Sequence, residues 1–383
     1  VLDVRKLART DPAATGPALV EGRMTLAATG PTAPEPPKIV SAMTLLKNFK
    51  PIESVIDGLP VPRGGLIAIT GPTGSCKTTL AAFLQICFCR GLKFAGREVT
   101  QGSVLGLWGE NPDDSTMHLA ATLQDIGLDP ADLARPPPFG ELLVIPGTFG
   151  IDVNLDHLHD RIAELGSRLV AVFVDTSAAY NGAEDENDNV AMRRHASTLR
   201  ELTTLPGNPA VFVLCHPVKS AIRDNLLPRG GGAFLAEIDS NLTLYKDEAG
   251  VVTLSHAGKI RGPSFDPVRF ELVSVELAGH KDCRGKAIYS TAVRHLPDDR
   301  AEQIEAKALD DENRLLIAMQ RKPAGSVADL AVAAGMTLGS GAPNKSKVSR
   351  LLRALADQGL VIKSRTGVST LTAKGKKAAD ELL

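Results

Sequence analysis

Apolar residues along this chain fall into short unbroken runs separated by amphipathic stretches, and that alternation predicts an α/β fold. The runs at 66–70, 104–108, 142–145, 169–174 and 210–214 show no polar alternation, as expected of strands covered on both faces of a mostly parallel sheet. The first leads into a Gly-rich turn and a helix from Lys77 to about Arg90. Beyond Asp239, the runs at 241–245, 251–256 and 268–272 predict an antiparallel extension of the sheet. Residues 278–299 have weak periodicity and read as a connector. Helical spacing returns at 300–320, 327–334 and 345–358. A small hairpin follows at 360–362 and 369–371, turning at Thr366-Gly367, and 374–383 reads as a closing helix. At the other end, the Pro-rich run 31–37 cannot form a regular element.

Four segments are therefore expected: an arm over 1–40, an α/β domain over 41–277, a linker over 278–299 and a second domain over 300–383. The helical stretches, hairpin and closing helix of that last segment follow the order of a winged helix-turn-helix domain. Lys+Arg number 43 and Asp+Glu 44, which excludes a uniformly basic coat but not one basic patch. Aromatics at 4% argue against an aromatic-lined platform for sugars or bases. Cys87 and Cys89 lie too close for a usual bridge, so Cys76, Cys87, Cys89, Cys215 and Cys283 read as reduced thiols. No apolar run reaches about 18 residues, and no secretory pattern is visible. No membrane span and a cytoplasmic location are expected.

The chemistry concentrates after the first strand, in Gly71, Pro72, Thr73, Gly74, Ser75, Cys76, Lys77, Thr78 and Thr79. The phosphate-binding motif is G-x-x-x-x-G-K-[ST], and this stretch departs from it only at Cys76, where the second glycine belongs. Successive backbone N–H groups and a helix N-terminus favour an anion there. Lys77 can reach the β- and γ-phosphates of ATP, and Thr78 can offer its hydroxyl to Mg²⁺. Beside a lysine and at a helix N-terminus, the Cys76 thiol is expected to have a lowered pKa. It would then crowd the phosphates, act as a redox switch or simply be tolerated. Asp175 ends an apolar strand and is the candidate Mg²⁺ contact through water. Glu110, at the tip of another strand, is the candidate for polarising the attacking water, or else a surface glutamate. His216 follows the fifth strand as a sensor of the γ-phosphate, or else a structural histidine.

These elements resemble the RecA-like ATPases, and specifically hexameric replicative helicases of the plasmid RepA and DnaB type. The resemblance runs through the opening at 51–59, the phosphate loop, the Trp108-Gly109-Glu110-Asn111-Pro112 segment and the strand ending at His216. It continues through Arg229 to Ala233 and through Gly258-Lys259-Ile260-Arg261-Gly262-Pro263, which is similar to the family's K-x-R motif. The resemblance implies a RecA-like P-loop core and a homo-oligomer, a hexameric ring. It gives Lys259 and Arg261 roles at the neighbouring subunit's nucleotide, with the arginine as a finger; the plainer reading is a solvated strand end. It also implies a loop facing single-stranded DNA, with Lys219, Arg223 and Arg229 as its cations.

Between Asn344 and Lys377 nine basic residues stand against one acid, Asp357. Lys345, Lys347, Arg350 and Arg353 fall on the second helix of the helix-turn-helix, and Lys363 and Arg365 flank the hairpin tip. Such a helix can offer cations to duplex phosphates or base edges, although winged domains also make protein contacts. The expectation is an Mg²⁺-dependent ATPase working on DNA, a replicative helicase of a plasmid, phage or mobile element. The alternatives are a nucleotide-gated DNA-binding regulator and a filament-forming recombination mediator.

Overall fold

The structure, a computed structural model, describes residues 39–383 apart from 135–138, 165, 167, 183–187, 219–220, 224, 248, 324 and 365–367. It divides into two units, Val1–Pro51 and Ile52–Leu383. In the first, the described residues hold one short helix, α1 (Ala42–Lys47), capped by Ser41 Oγ on the Thr44 amide at 3.1 Å and exposed throughout. The expected arm, except for residues 39 and 40, lies outside the described residues.

The second unit is built on a nine-stranded sheet in the order β3-β2-β4-β5-β1-β6-β7-β8-β9. β1 (Leu66–Thr70), β2 (Ser103–Trp108), β3 (Leu142–Pro146), β4 (Leu169–Asp175) and β5 (Ala210–Cys215) are the five apolar runs and are mutually parallel. Period-two alternation sends Phe173 and Phe212 to one face, and Val172, Val174, Val211 and Val213 to the other. Both faces are covered, which is why no polar alternation marks these runs. On the first face, Phe173 and Phe212 stack at 4.8 Å under Phe88 of α2 (Lys77–Arg90). α3 (Pro112–Ile126) packs beside α2. The other face is closed by α4 (Ile151–Glu164), α6 (Asn189–Glu201) and α7 (Gly231–Glu237), with the short α5 (Ser177–Tyr180) following β4.

Two expectations change here. β6 (Ser240–Lys246) is parallel to β1, so it closes the parallel sheet; the antiparallel extension begins only at β7 (Val252–His256). The stretch expected as a connector instead holds the end of β8 (Val268–Lys281) and all of β9 (Ala287–His295). The part of β8 that falls there, residues 278–281, is solvent-exposed throughout, so no apolar run announced it. Its partner β9 packs on α3, where Arg294 pairs with Asp125.

The C-terminal region follows the expected order: α8 (Asp298–Arg321), α9 (Val327–Ala333), α10 (Lys345–Asp357), the hairpin β10 (Val361–Lys363) and β11 (Ser369–Leu371), then α11 (Ala373–Glu381). A core of its own, with Leu315, Leu330, Val348 and Leu355 at its centre, holds these together. Ser326 and Asp329 form a capping box at the start of α9, and Asn344 caps α10. The architecture is a mixed, mostly parallel P-loop NTPase core with a winged-helix-like extension. Among the described residues, no helix is long and apolar enough to cross a membrane.

Candidate nucleotide site

β1 is buried along its length and leads into Gly71, whose amide donates to Cys215 O at 3.1 Å. A Cβ at Gly71 would collide with Leu244 O and Ser75 Oγ, so the turn admits only glycine. Gly74 then takes φ +79°, and Cys76 takes φ +69° as the residue that opens α2. The second position of the motif thus requires a left-handed backbone, and a residue with a Cβ occupies it. Its thiol lies 3.5 Å from Gly74 O. Burial pushes the Cys76 pKa up, against the pull of Lys246 and Lys77, which corrects the expectation of a lowered value.

Lys77 is folded over the loop, with Nζ donating to Gly71 O at 2.8 Å and Pro72 O at 3.1 Å. Burial lowers its pKa, opposed chiefly by Asp175. Asp175 sits at the end of β4, and burial raises its carboxyl to about 6 although the Thr78 hydroxyl hydrogen-bonds to it. The amides of Gly109 and Glu110 both donate to Asp175 O, at 2.8 and 3.1 Å. That ties the Glu110 backbone to the strand that carries Asp175.

Thr73, Gly74, Cys76, Lys77, Thr78 and Thr79 line one side of a cleft of about 450 Å³. Glu110, Asp175 and His216 line it too, so candidates from three separate strand ends come together. Pro72 and Ser75 shape the turn behind it, and the buried Ser75 Oγ has no hydrogen-bond partner. A turn with no room for a Cβ at Gly71, an orphaned hydroxyl and a threonine–aspartate pair beside a lysine fit a nucleotide phosphate chain with Mg²⁺. Thr78 and Asp175 are the residues that would hold the metal.

Residues 31–221 match the family model of an AAA domain. That stretch is an AAA-family ATPase domain. No curated protein matches the chain. The match takes in the phosphate loop, Glu110, Asp175 and His216, and by family it implies ATP and Mg²⁺.

Sequence reasoning missed part of the AAA domain's cleft. His118 stands inside it, with Nδ1 3.1 Å from Thr291 O and 3.4 Å from Thr79 Oγ1, and Nε2 3.4 Å from Asp114. Asp114 and His118 are four apart on the helix after Glu110, a spacing that shares one face and could have been noticed. Thr291 and Lys246 come from β9 and from the end of β6, and nothing local marks them.

Lys259 and Arg261 are not in this cleft. They lie on the segment between β7 and β8, where Lys259 Nζ reaches Ala236 O and Arg261 Nη1 meets Asp239 Oδ1 at 2.7 Å. Burial, then Arg261, lowers the Lys259 pKa. Of the expected DNA-facing cations, Lys219 and Arg365 lie outside the described residues. Arg223 lies over the Tyr245 ring at 5.1 Å. Arg229 is half-buried, and its amide donates to His216 O at 2.8 Å. On α10, Lys345, Arg350 and Arg353 are exposed, as is Lys363 on β10. Lys347 instead pairs with Asp311 of α8 at 2.5 Å, with both side chains mostly buried.

Behind the cleft, Ser177 Oγ lies 3.0 Å from His195 Nε2. Burial pushes the His195 pKa from 6.5 down to about 4. A depressed pKa means the fold disfavours the protonated ring. That stability is present above pH 6.5 and drains away as pH falls through about 4. His195→Gln should therefore lose less stability on acidification than the wild type, by on the order of 2–3 kcal/mol between pH 7 and pH 4. Denaturant unfolding across that range checks it, and parallel curves for the two proteins would contradict it.

A left-handed backbone costs a residue with a Cβ about 1–2 kcal/mol, while a glycine adds about 0.5–1 kcal/mol of unfolded-state entropy. Cys76→Gly should hold or raise stability by up to about 1 kcal/mol. It should also modestly raise turnover at subsaturating ATP. Urea unfolding and ATP turnover of the variant test this; a clear loss of stability would show that the backbone there is unstrained.

Proposed function

We propose that this chain is an Mg²⁺-dependent ATPase that assembles as a ring on DNA, a replicative helicase of the RepA and DnaB type serving a plasmid, phage or mobile element. One observation carries the reading. Lys77, Thr78, Glu110 and Asp175 share a single cleft, while neither Lys259 nor Arg261 lines it, and Arg261 borders a separate cavity. A pair so placed is free of its own copy's cleft, which supports a role at a nucleotide held by another copy.

In this reading Lys77 leaves the loop carbonyls to hold the β- and γ-phosphates. Thr78, and Asp175 through water, would hold the metal, which would supply positive charge against the phosphoryl oxygens. Glu110, held by its backbone on β4, accepts a proton from the attacking water. His216, at the tip of β5, lies where it can report the γ-phosphate to the segment that leads to Arg229. Arg261 completes the site from the neighbouring copy, so hydrolysis waits on assembly. Lys345, Arg350, Arg353 and Lys363 supply the duplex contacts of the winged region.

Lys77→Ala should lower ATP turnover by orders of magnitude, with and without single-stranded DNA. Arg261→Ala and Glu110→Gln should each bind ATP and hydrolyse it poorly. Mixing the two should recover activity, because some interfaces then pair an intact Glu110 with an intact Arg261. Turnover near wild type for Lys77→Ala would end the ATPase assignment. A full-rate Arg261→Ala would end the trans role. Strand displacement by the wild type separates a helicase from a regulator or a filament former, and particle images separate ring from filament.

In the full chain, Arg350→Ala with Arg353→Ala should weaken duplex binding and flatten the log-salt slope by about 2, near 0.9 for each lost phosphate contact. Lys347→Ala should act mainly on stability, since its ammonium is already taken by Asp311. Unchanged binding by the double variant would move the winged region to a protein-contact role.

A further inference from the structure

Asp239 lies between α7 and β6, and its side chain is only 5% exposed. Its amide donates to Leu66 O at 2.7 Å, and the Leu66 amide donates back to its Oδ2 at 2.8 Å. This reciprocal pair pins the carboxylate to the first residue of β1. Arg200 Nη1 donates to the same Oδ2 at 3.1 Å, so the buried charge already has a cation and a backbone donor. The remaining oxygen, Oδ1, takes Arg261 Nη1 at 2.7 Å.

The backbone beneath Arg261 is fastened as well. Its amide reaches Ser240 Oγ at 3.3 Å, and the Asn241 amide donates to Lys259 O at 2.9 Å. Yet the Arg261 side chain stays 63% exposed and borders an open cavity of about 480 Å³. A guanidinium carries five N–H donors in a rigid fork, so a carboxylate that grips one nitrogen leaves the others for a second anion. Because Arg200 also answers Asp239, the two arginines against one carboxylate keep a net positive charge.

We propose that Asp239 is a positioning residue that fixes the Arg261 guanidinium and presents its remaining donors to a phosphate carried by a second copy of this chain. The proposal rests on the reading of Arg261 as a finger acting in trans. Orientation is set before assembly, so the arginine does not have to be ordered when the interface closes. Two arginines bound to one buried carboxylate also tie the finger to β1, the strand whose other end carries the phosphate loop.

The test measures ATP turnover of the full chain with Asp239→Asn, Arg261→Ala, Arg261→Lys and the Asp239→Asn/Arg261→Ala double variant. Asp239→Asn keeps an acceptor for the Leu66 amide and loses the charge that grips the guanidinium. Its kcat should fall about 10- to 100-fold, with KM for ATP little changed. The double variant should be no slower than Arg261→Ala alone. Asp239→Asn should regain turnover when mixed with Glu110→Gln and none when mixed with Arg261→Ala, because only the first mixture restores an intact finger. A general weakening of β1 would instead raise KM and show no such pattern.

Arg261→Lys guards against a misfolded Asp239→Asn, since it alters an exposed side chain. One ammonium cannot both bind Asp239 and present a second planar edge, so its kcat should fall nearly as far as that of Arg261→Ala. Arg261→Lys at wild-type kcat would overturn the proposal. So would an Asp239→Asn kcat that is unchanged or raised while Arg261→Ala is slow; in that case the finger stands and its positioning does not. Arg261→Ala at full turnover would overturn both.

Discussion

β1 is the constraint on which the rest of the second unit depends. It is buried from end to end and hydrogen-bonded in parallel to β5 on one side and β6 on the other. A strand so held cannot slide or tilt, so what lies at each end is fixed in space. At one end Gly71 is wedged beneath Leu244 O, and the loop that follows can only turn toward α2. At the other end the Leu66 amide and carbonyl are both taken by Asp239. The phosphate loop and the Arg261 anchor are therefore opposite ends of one rigid element.

Desolvation sets the electrostatics of the cleft more than pairing does. Burial is the leading cause of the shift at Cys76, Lys77 and Asp175, and in each case it disfavours the charged form. Lys77 and Asp175 each partly offset the other's penalty, and a bound phosphate chain with its metal would relieve both. Cys76 adds a local conflict, a side chain at a backbone angle suited to glycine.

The winged region shows how far a charge count differs from a surface. Nine basic residues lie between Asn344 and Lys377, yet Lys347 is spent on Asp311, where it braces α10 against α8. The cations that remain exposed on α10 are Lys345, Arg350 and Arg353. Sequence could place Lys347 on the right helix, but only the packing of α8 decided which way its charge is used.

The sequence by itself determined the five parallel strands, the phosphate loop and the order of the winged region. Those features are local: apolar runs long enough to be buried on both faces, a glycine pattern tied to one turn geometry, and helical spacing closed by caps. It also named Lys77, Thr78, Glu110, Asp175 and His216, because each ends a strand or opens a helix where such a sheet binds ligands. Tertiary structure decided what depends on distant pairing. β6 reads the same whether it joins β1 in parallel or a neighbour in antiparallel, and only its place beside β1 settles which. β9 and the exposed end of β8 are held by pairing with each other and by packing on α3, so that stretch read as a connector. Thr291 reaches the cleft only because β9 packs on α2 and α3, and it meets there His118 of α3 and Lys246 at the end of β6. Asp239 was invisible for the same reason: its role comes from meeting Leu66, Arg200 and Arg261, residues that sequence separates and the fold brings to one carboxylate.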